Sequence, residues 1–361
     1  MLVSPSFYSD NESSNLSFPQ SGVRPAARTA VVLNANAKRV TESVRASFAE
    51  IVPAQDLFFS TSLEHSELIA DTIISRRYDT VLAGGGDGTI VNVLNSLIAA
   101  AEKASVGLYR PTLPDVGILR LGTGNGLGYA TNAGRPLTDT RNVLAGRGPR
   151  ARPLHLMEDT SSNTVFPFAS VGYDAQLLND YVRMCKLTAS NAMSERLMKS
   201  VAGYFFALGT RTIPQQLFQQ TPSIRVVAEG RCSRIDLETD EEIPLESDSL
   251  LFDGIARCVA MGTIPFYGYK MKVFPFAQKR TDRFHLRIST ASISYLLSHL
   301  PGVWNGSLRS DKFADFLVEG VRLESDEPMP YQIGGDAAGY RKELEVRLSE
   351  RSFRVLDGHL T

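Results

Sequence analysis

The sequence predicts an α/β domain followed by a mainly antiparallel β domain, and three observations carry this expectation. From Arg28 to about Ala130 short apolar runs alternate with amphipathic helical segments, the pattern of a parallel sheet covered by helices. After Gly146-Arg147-Gly148-Pro149 the chain turns strand-rich, with few helical segments. Its 361 residues also exceed what a single core usually holds, about 250–300 residues. The expected organisation is a disordered tail over 1–26, an α/β domain over 27–150 and a β-rich domain over 151–361.

In order along the chain, Met1 to Gly22 is rich in Ser, Asn and Pro and lacks the basic start and apolar run of a signal peptide. Ala30-Val31-Val32-Leu33 reads as a buried strand ending at Asn34, and Val40, Val44, Phe48 and Ile51 recur at helical spacing. Leu57-Phe58-Phe59 is a second strand. Thr61 with Glu64 forms a capping box opening a helix through Leu68, Ile69 and Ile73. Thr80 to Ala83 is a third strand, the run Gly84-Gly85-Gly86-Asp87-Gly88-Thr89 follows it, and a helix carries Ile90, Val91, Leu94, Leu97 and Ile98. Val116 to Leu119 is a fourth strand, ending in Gly122-Thr123-Gly124-Asn125. In the second half, strands are expected at Ser223–Ala228, Leu250–Met261, Phe284–Ile288 and Leu344–Leu348. Helices are expected near Leu177–Leu187, Met193–Gly209 and Ala291–Leu300, and Glu238–Asp248 reads as a solvated loop.

Composition excludes several classes. With 38 basic and 39 acidic side chains there is no global field to draw the chain onto nucleic acid. Cys185, Cys232 and Cys258 lack metal-ligand or redox spacing, which suits reduced thiols in the cytoplasm. The five histidines are scattered, without hydrolase or metal-centre spacing. No apolar stretch reaches the roughly 20 residues a spanning helix needs, so membrane contact is expected to be peripheral.

The run after the third strand carries the chemistry. Glycines between a buried strand and a helix let backbone approach phosphate oxygens, and the helix N-terminus favours an anion. Asp87 inside such a loop calls for a divalent cation or a proton-transfer task. No Lys-Ser/Thr pair follows, so this is not a Walker loop.

This loop resembles the GGDGT signature of the diacylglycerol kinase catalytic-domain family, shared with sphingosine kinases and, more distantly, with NAD kinases and phosphofructokinases. Leu121-Gly122-Thr123-Gly124-Asn125 is similar to the family's PLGTGN, which there continues Asp-X-Ala-Arg and here Gly126-Leu127-Gly128-Tyr129-Ala130. Asn34 stands where the family has Asn-Pro. Gly172-Tyr173-Asp174-Ala175 resembles the family's Gly-Phe/Tyr-Asp-Ala turn, whose acid meets the acceptor head group, making Asp174 the acceptor-binding candidate. Gln332-Ile333-Gly334-Gly335-Asp336 resembles Gln-Ile/Val-Asp-Gly-Glu, with Gly334 at the position of the family's base and Asp336 at that of its Glu. Of the family's paired acids after Val273 to Ala277, only Asp282 remains.

The resemblance implies a NAD kinase/phosphofructokinase-like α/β domain, an antiparallel β-sandwich, and an ATP-dependent lipid kinase acting with Mg²⁺. ATP would lie on Asn34, Gly84, Gly85, Gly86, Asp87, Gly88, Thr89, Thr123, Gly124 and Asn125. Asp87 would place the metal, and Asp336 or Asp87 would serve as base. The lipid acceptor would be met at Asp174, with Ala202–Leu208, flanked by Lys199 and Arg211, and Phe266–Phe276, with Lys270 and Lys272, offering apolar and basic surface for a membrane. A superfamily kinase with a soluble acceptor such as NAD, or a nucleotide sensor lacking transfer, are the rival readings. Gly126 and Gly334 in place of acids motivate the sensor.

Overall fold

The structure, a computed structural model, describes residues 27–176 and 221–360. Its first sheet has the order β2-β1-β3-β4-β16-β5. Strands β1 (Thr29–Asn34), β2 (Leu57–Ser60), β3 (Thr80–Gly85) and β4 (Asp115–Arg120) run parallel. Successive strand residues point to opposite faces, and both faces are covered. Ala30, Val32, Val81 and Ala83 share a core with α2 (Leu63–Ser75) and α3 (Asp87–Lys103). Val31, Leu33 and Leu82 pack instead with Val40 and with Phe48 of α1 (Glu42–Ala49). Two short helices, α4 (Gly126–Ala130) and α5 (Pro136–Leu144), follow β4.

The capping residue of α2 is Ser62, one position later than the expected Thr61. The Thr61 carbonyl is taken by the Asn36 side-chain amide at 2.8 Å, so the helical ladder starts with Ser66 N–H donating to the Ser62 carbonyl at 3.1 Å. Ser62 Oγ accepts from His65 N–H at 3.2 Å.

The sheet crosses the boundary expected at 150. β5 (Ala151–Leu154) and the C-terminal β16 (Phe353–Leu356) pair antiparallel with each other, and β16 lies parallel to β4. The first domain is thus completed by segments that flank the second.

Among the described residues the second sheet has ten strands, all paired antiparallel. Its order is organised by β14 (Phe313–Ile333), which pairs with β13 (Phe284–Ser289) at its start and with β8 (Phe168–Gly172) at its end. Since β12 (Cys258–Gly262) bonds both β8 and β13, the strands close a ring. The expected sandwich is therefore one continuous sheet wound back on itself. Along its middle β14 also pairs with β9 (Ser223–Ile235) and with β15 (Asp336–Leu348).

Two expectations are corrected here. Leu250–Met261 forms two strands, β11 (Leu250–Ile255) and β12, because Arg257 N–H donates to Ser289 and its carbonyl accepts from Tyr173, moving the chain from one neighbour to another. Glu238–Asp248 contributes β10 (Glu242–Leu245), which pairs with β9. The expected helix at Ala291–Leu300 appears as α6 (Ile293–Ser298) followed by α7 (Leu300–Asn305). The helices expected near Leu177–Leu187 and Met193–Gly209, the segment Ala202–Leu208 with Lys199 and Arg211, and Cys185 lie outside the described residues. Among the described residues no helix is long and apolar enough to cross a membrane.

Candidate active site

The site forms where the ends of β3 and β4 meet the turn before β15. β3 runs into Gly84 and Gly85, Gly86 takes the N-cap position in extended conformation, and α3 starts at Asp87. Gly122 packs its backbone directly on Gly86; a Cβ at Gly122 would overlap the Gly86 main chain. The two glycine elements are therefore in backbone contact, which only residues without side chains allow.

Asp87 is 8% exposed, and its carboxylate accepts from the Gly126 N–H at 2.9 Å and the Leu127 N–H at 3.0 Å. These are unsatisfied donors at the start of α4, so the acid of the first element caps the helix of the second. Asn125, buried and left-handed at φ 55°, turns its side-chain amide onto Gly122. It accepts from the Gly122 N–H at 3.0 Å and donates to the carbonyl at 2.8 Å. Asn125 thus holds the turn, while Thr123 is left exposed at its tip. Burial pushes the Asp87 carboxyl up to about 6, against the pull of its two amide donors, and the Asp336 charge acts in the same upward direction.

Asp336 opens β15 after Gly334 and Gly335, both at positive φ. The residue is solvent-exposed, yet its carboxylate is turned onto Gly88 so closely that a Cβ there would overlap it. This local loss of water raises its pKa. Gly334, at the position of the family's base, has φ +57°, and a Cβ there would fall 2.7 Å from Val91.

The turn is wired to Asp174. The Gly335 N–H donates to Gln332 Oε1 at 2.8 Å, and Gln332 Nε2 donates to Ser170 Oγ at 2.9 Å. The Ser170 hydroxyl donates to Asp174, as do the Tyr267 hydroxyl at 2.5 Å and the Cys258 thiol at 3.4 Å. Asp174 lines an apolar cavity of about 310 Å³ with Met271, Val273, Leu296, Leu300 and Val303. Arg287 is the other charged lining residue among those described, and Asp315 binds its guanidinium at 2.7 and 3.0 Å.

A separate polar cavity of about 200 Å³ lies beside the glycine loop, lined by Asn34, Asn36, Ser62, Ser66, Thr89 and Asn92. Asn34 Nδ2 donates to Thr89 Oγ1 at 2.8 Å, linking the end of β1 to the first turn of α3. Ser62, Ser66 and Asn92 were not legible as site residues from the sequence. The usable signal was spacing, since Ser62/Ser66 and Thr89/Asn92 fall on single helix faces. Asp282 lies away in ion pairs with Arg231 at 3.4 Å and Arg280 at 3.5 Å. Among the described residues no group of three or more His, Cys, Asp or Glu is arranged to hold a metal. Asp87 and Asp336 fit a weaker demand. Both are carboxylates partly stripped of water that repel one another, and Mg²⁺ is commonly held by one or two carboxylates together with substrate phosphates.

Residues 29–156 match the diacylglycerol kinase catalytic domain. Over 115 residues the chain is 32% identical to the Yersinia enterocolitica protein named "Probable lipid kinase YegS-like"; the match covers 32% of this chain and 35% of that protein. The crystal structure of a diacylglycerol kinase from Bacillus anthracis superposes with TM-score 0.59 at 15% identity, covering 92% of this chain and 97% of that one. The crystal structure of "a putative diacylglycerol kinase from Bacillus anthracis str. Sterne" gives TM-score 0.61 at 13% identity, covering 95% of this chain and 100% of that one. The fold is thus shared along nearly the whole chain, whereas the family match covers residues 29–156.

Proposed function

We propose that this chain, which carries a diacylglycerol kinase-type catalytic domain over residues 29–156, transfers the γ-phosphoryl group of ATP to the hydroxyl of a lipid. The observation that carries this reading is the apolar cavity whose one acid among the described residues, Asp174, is hydrogen-bonded through Ser170 and Gln332 to the turn presenting Asp336 over the glycine loop. A soluble acceptor such as NAD has no need of an apolar wall formed by Met271, Val273, Leu296, Leu300 and Val303.

In this reading the nucleotide phosphates lie along the amides from Gly86 to Thr89 at the N-terminus of α3, where the helix dipole favours negative charge. Asn34, Thr89 and the neighbouring hydroxyls offer donors to the rest of the nucleotide. Mg²⁺ held by Asp87 with the phosphates would neutralise charge developing on the β- and γ-oxygens. The lipid chain occupies the apolar cavity and its polar head meets Asp174. Asp336 is the carboxylate placed to accept the acceptor's proton, its raised pKa bringing it nearer that task. Asp87 holds the second glycine element in place against the first, so positioning and charge neutralisation dominate the catalysis.

The test is transfer from labelled ATP to a panel of diacylglycerol, sphingoid base, ceramide and NAD. Label in an organic extract supports the proposal. Label confined to water-soluble product indicates a soluble acceptor, and ATP binding with no transfer to any acceptor indicates a sensor; either result overturns it.

A further inference from the structure

Residues 266–273 form a wall between two cavities. Tyr267, Met271 and Val273 line the apolar one, whereas Phe266, Lys270 and Lys272 line a wider cleft of about 720 Å³ on the other side. The cleft also takes Arg120, Tyr129 and His359, and among the described residues no carboxylate side chain lines it. The Arg120 guanidinium and the Lys270 ammonium each stand 5.4 Å from the Tyr129 ring centroid, so two cations gather about one aromatic ring. An anion in the cleft they line is attracted by both. Arg120 is partly answered, by the Gly134 carbonyl, which accepts from it at 3.0 and 3.2 Å, and by the charge of Asp139, whereas neither lysine is in an ion pair with a described acid.

Gly128 makes room for Arg120 here, because a Cβ on Gly128 would lie 2.5 Å from Arg120 Cγ.

The neighbourhood identifies where the anion comes from. The Lys272 N–H donates to the Trp304 carbonyl at 2.8 Å, which seats α7 against the wall. Trp304 is 40% exposed, and Leu297 and Leu300, which line the apolar cavity, are 55% and 41% exposed. An exposed Trp and leucines beside lysines suit the boundary of a bilayer rather than bulk water.

We propose that the cleft of Arg120, Tyr129, Lys270, Lys272 and His359 binds the phosphate headgroup of an anionic phospholipid, holding the mouth of the apolar cavity against the bilayer. The inference rests on the lipid-acceptor reading of that cavity. It deepens that reading by adding a second lipid contact that is not the acceptor.

The experiment is co-sedimentation of the full chain, without nucleotide, on vesicles of phosphatidylcholine alone and of phosphatidylcholine with about one-fifth phosphatidylglycerol at physiological ionic strength. Selective partition onto the anionic vesicles is expected, and the double variant Lys270→Ala/Lys272→Ala is expected to lose it about thirty-fold. The control Lys103→Ala/Lys342→Ala removes the same charge elsewhere and is expected to bind as the parent does. Equal loss in the control, or undiminished binding by the cleft variant, overturns the proposal. So does calorimetric binding of inorganic phosphate that the cleft variant abolishes while vesicle partition stays the same, which would make the cleft a site for soluble anions. Because no nucleotide enters the measurement, vesicle binding without phosphoryl transfer would uphold this inference and sink the kinase reading. Transfer to detergent-dispersed lipid without vesicle selectivity would do the reverse.

Discussion

Asp87→Asn separates the electrostatic role of this acid from its structural one. Burial lifts the carboxyl from an ordinary 3.8 to about 6. At about 1.4 kcal/mol per pH unit, ionised Asp87 therefore lowers the stability of the nucleotide-free fold by about 3 kcal/mol. The sign follows from the raised pKa: the stabilising contribution is complete below about pH 4 and is lost as the pH rises through about 6. Asparagine does not titrate. It supplies one oxygen where Gly126 and Leu127 have two N–H donors, so one donor is left without its acceptor, at a cost of about 1–3 kcal/mol at every pH. Urea unfolding of both proteins in EDTA between pH 4 and 8 reads the difference, in which all other titrating groups cancel. The variant is expected to be the less stable at pH 4 and to equal or overtake the parent by pH 7. Phosphoryl transfer at pH 7 is expected to fall by at least about a hundredfold whichever protein is more stable. A stability difference that moves by less than about 1 kcal/mol between pH 4 and 7 would refute the desolvated, amide-capped carboxylate described above.

Three further outcomes are expected. Gly88→Ala places a methyl where the Asp336 carboxylate now lies, and kcat is expected to drop by about a hundredfold with the melting temperature little changed; normal turnover would show that Asp336 works from elsewhere. Asp174→Asn weakens the acceptor of the Ser170 and Tyr267 hydroxyls, and the lipid KM is expected to rise about tenfold while the ATP KM stays constant. Asp315→Asn leaves Arg287 buried without its counter-charge and is expected to cost about 3–5 kcal/mol in denaturant unfolding at neutral pH. Burial alone would raise the Asp315 carboxyl, but Arg287 and His285 outweigh it and hold it far below the carboxylate range. The stability it contributes is thus present above about pH 4 and lost as the pH falls below that.

Much of the first domain was legible because its signals are local. Apolar runs such as Ala30 to Leu33 and Thr80 to Ala83 report strands buried on both faces, and Gly84 to Thr89 declares a close backbone approach at a helix start. The capping shift from Thr61 to Ser62 was invisible because it depends on Asn36, which lies on another loop. The function expected of Asp87 and Asn125 was framed around a nucleotide. Their observed hydrogen bonds go instead to the backbone of the second glycine element, bonds that no spacing within either motif announces.

The sequence by itself determined that a strand–glycine–helix unit recurs beside a β-rich half, and which residue types stand at each turn. Periodicity records which face of an element is apolar, and glycine records where backbone must come close. Neither records which distant element arrives there. Only the tertiary structure decided that Asp336 closes on Gly88, that Gln332 reaches Ser170 across 162 positions, and that the last strand returns to the first sheet. The reason is physical: these pairings are chosen by chain reversals that bury both sheets at once, a condition on the whole chain and on no segment of it.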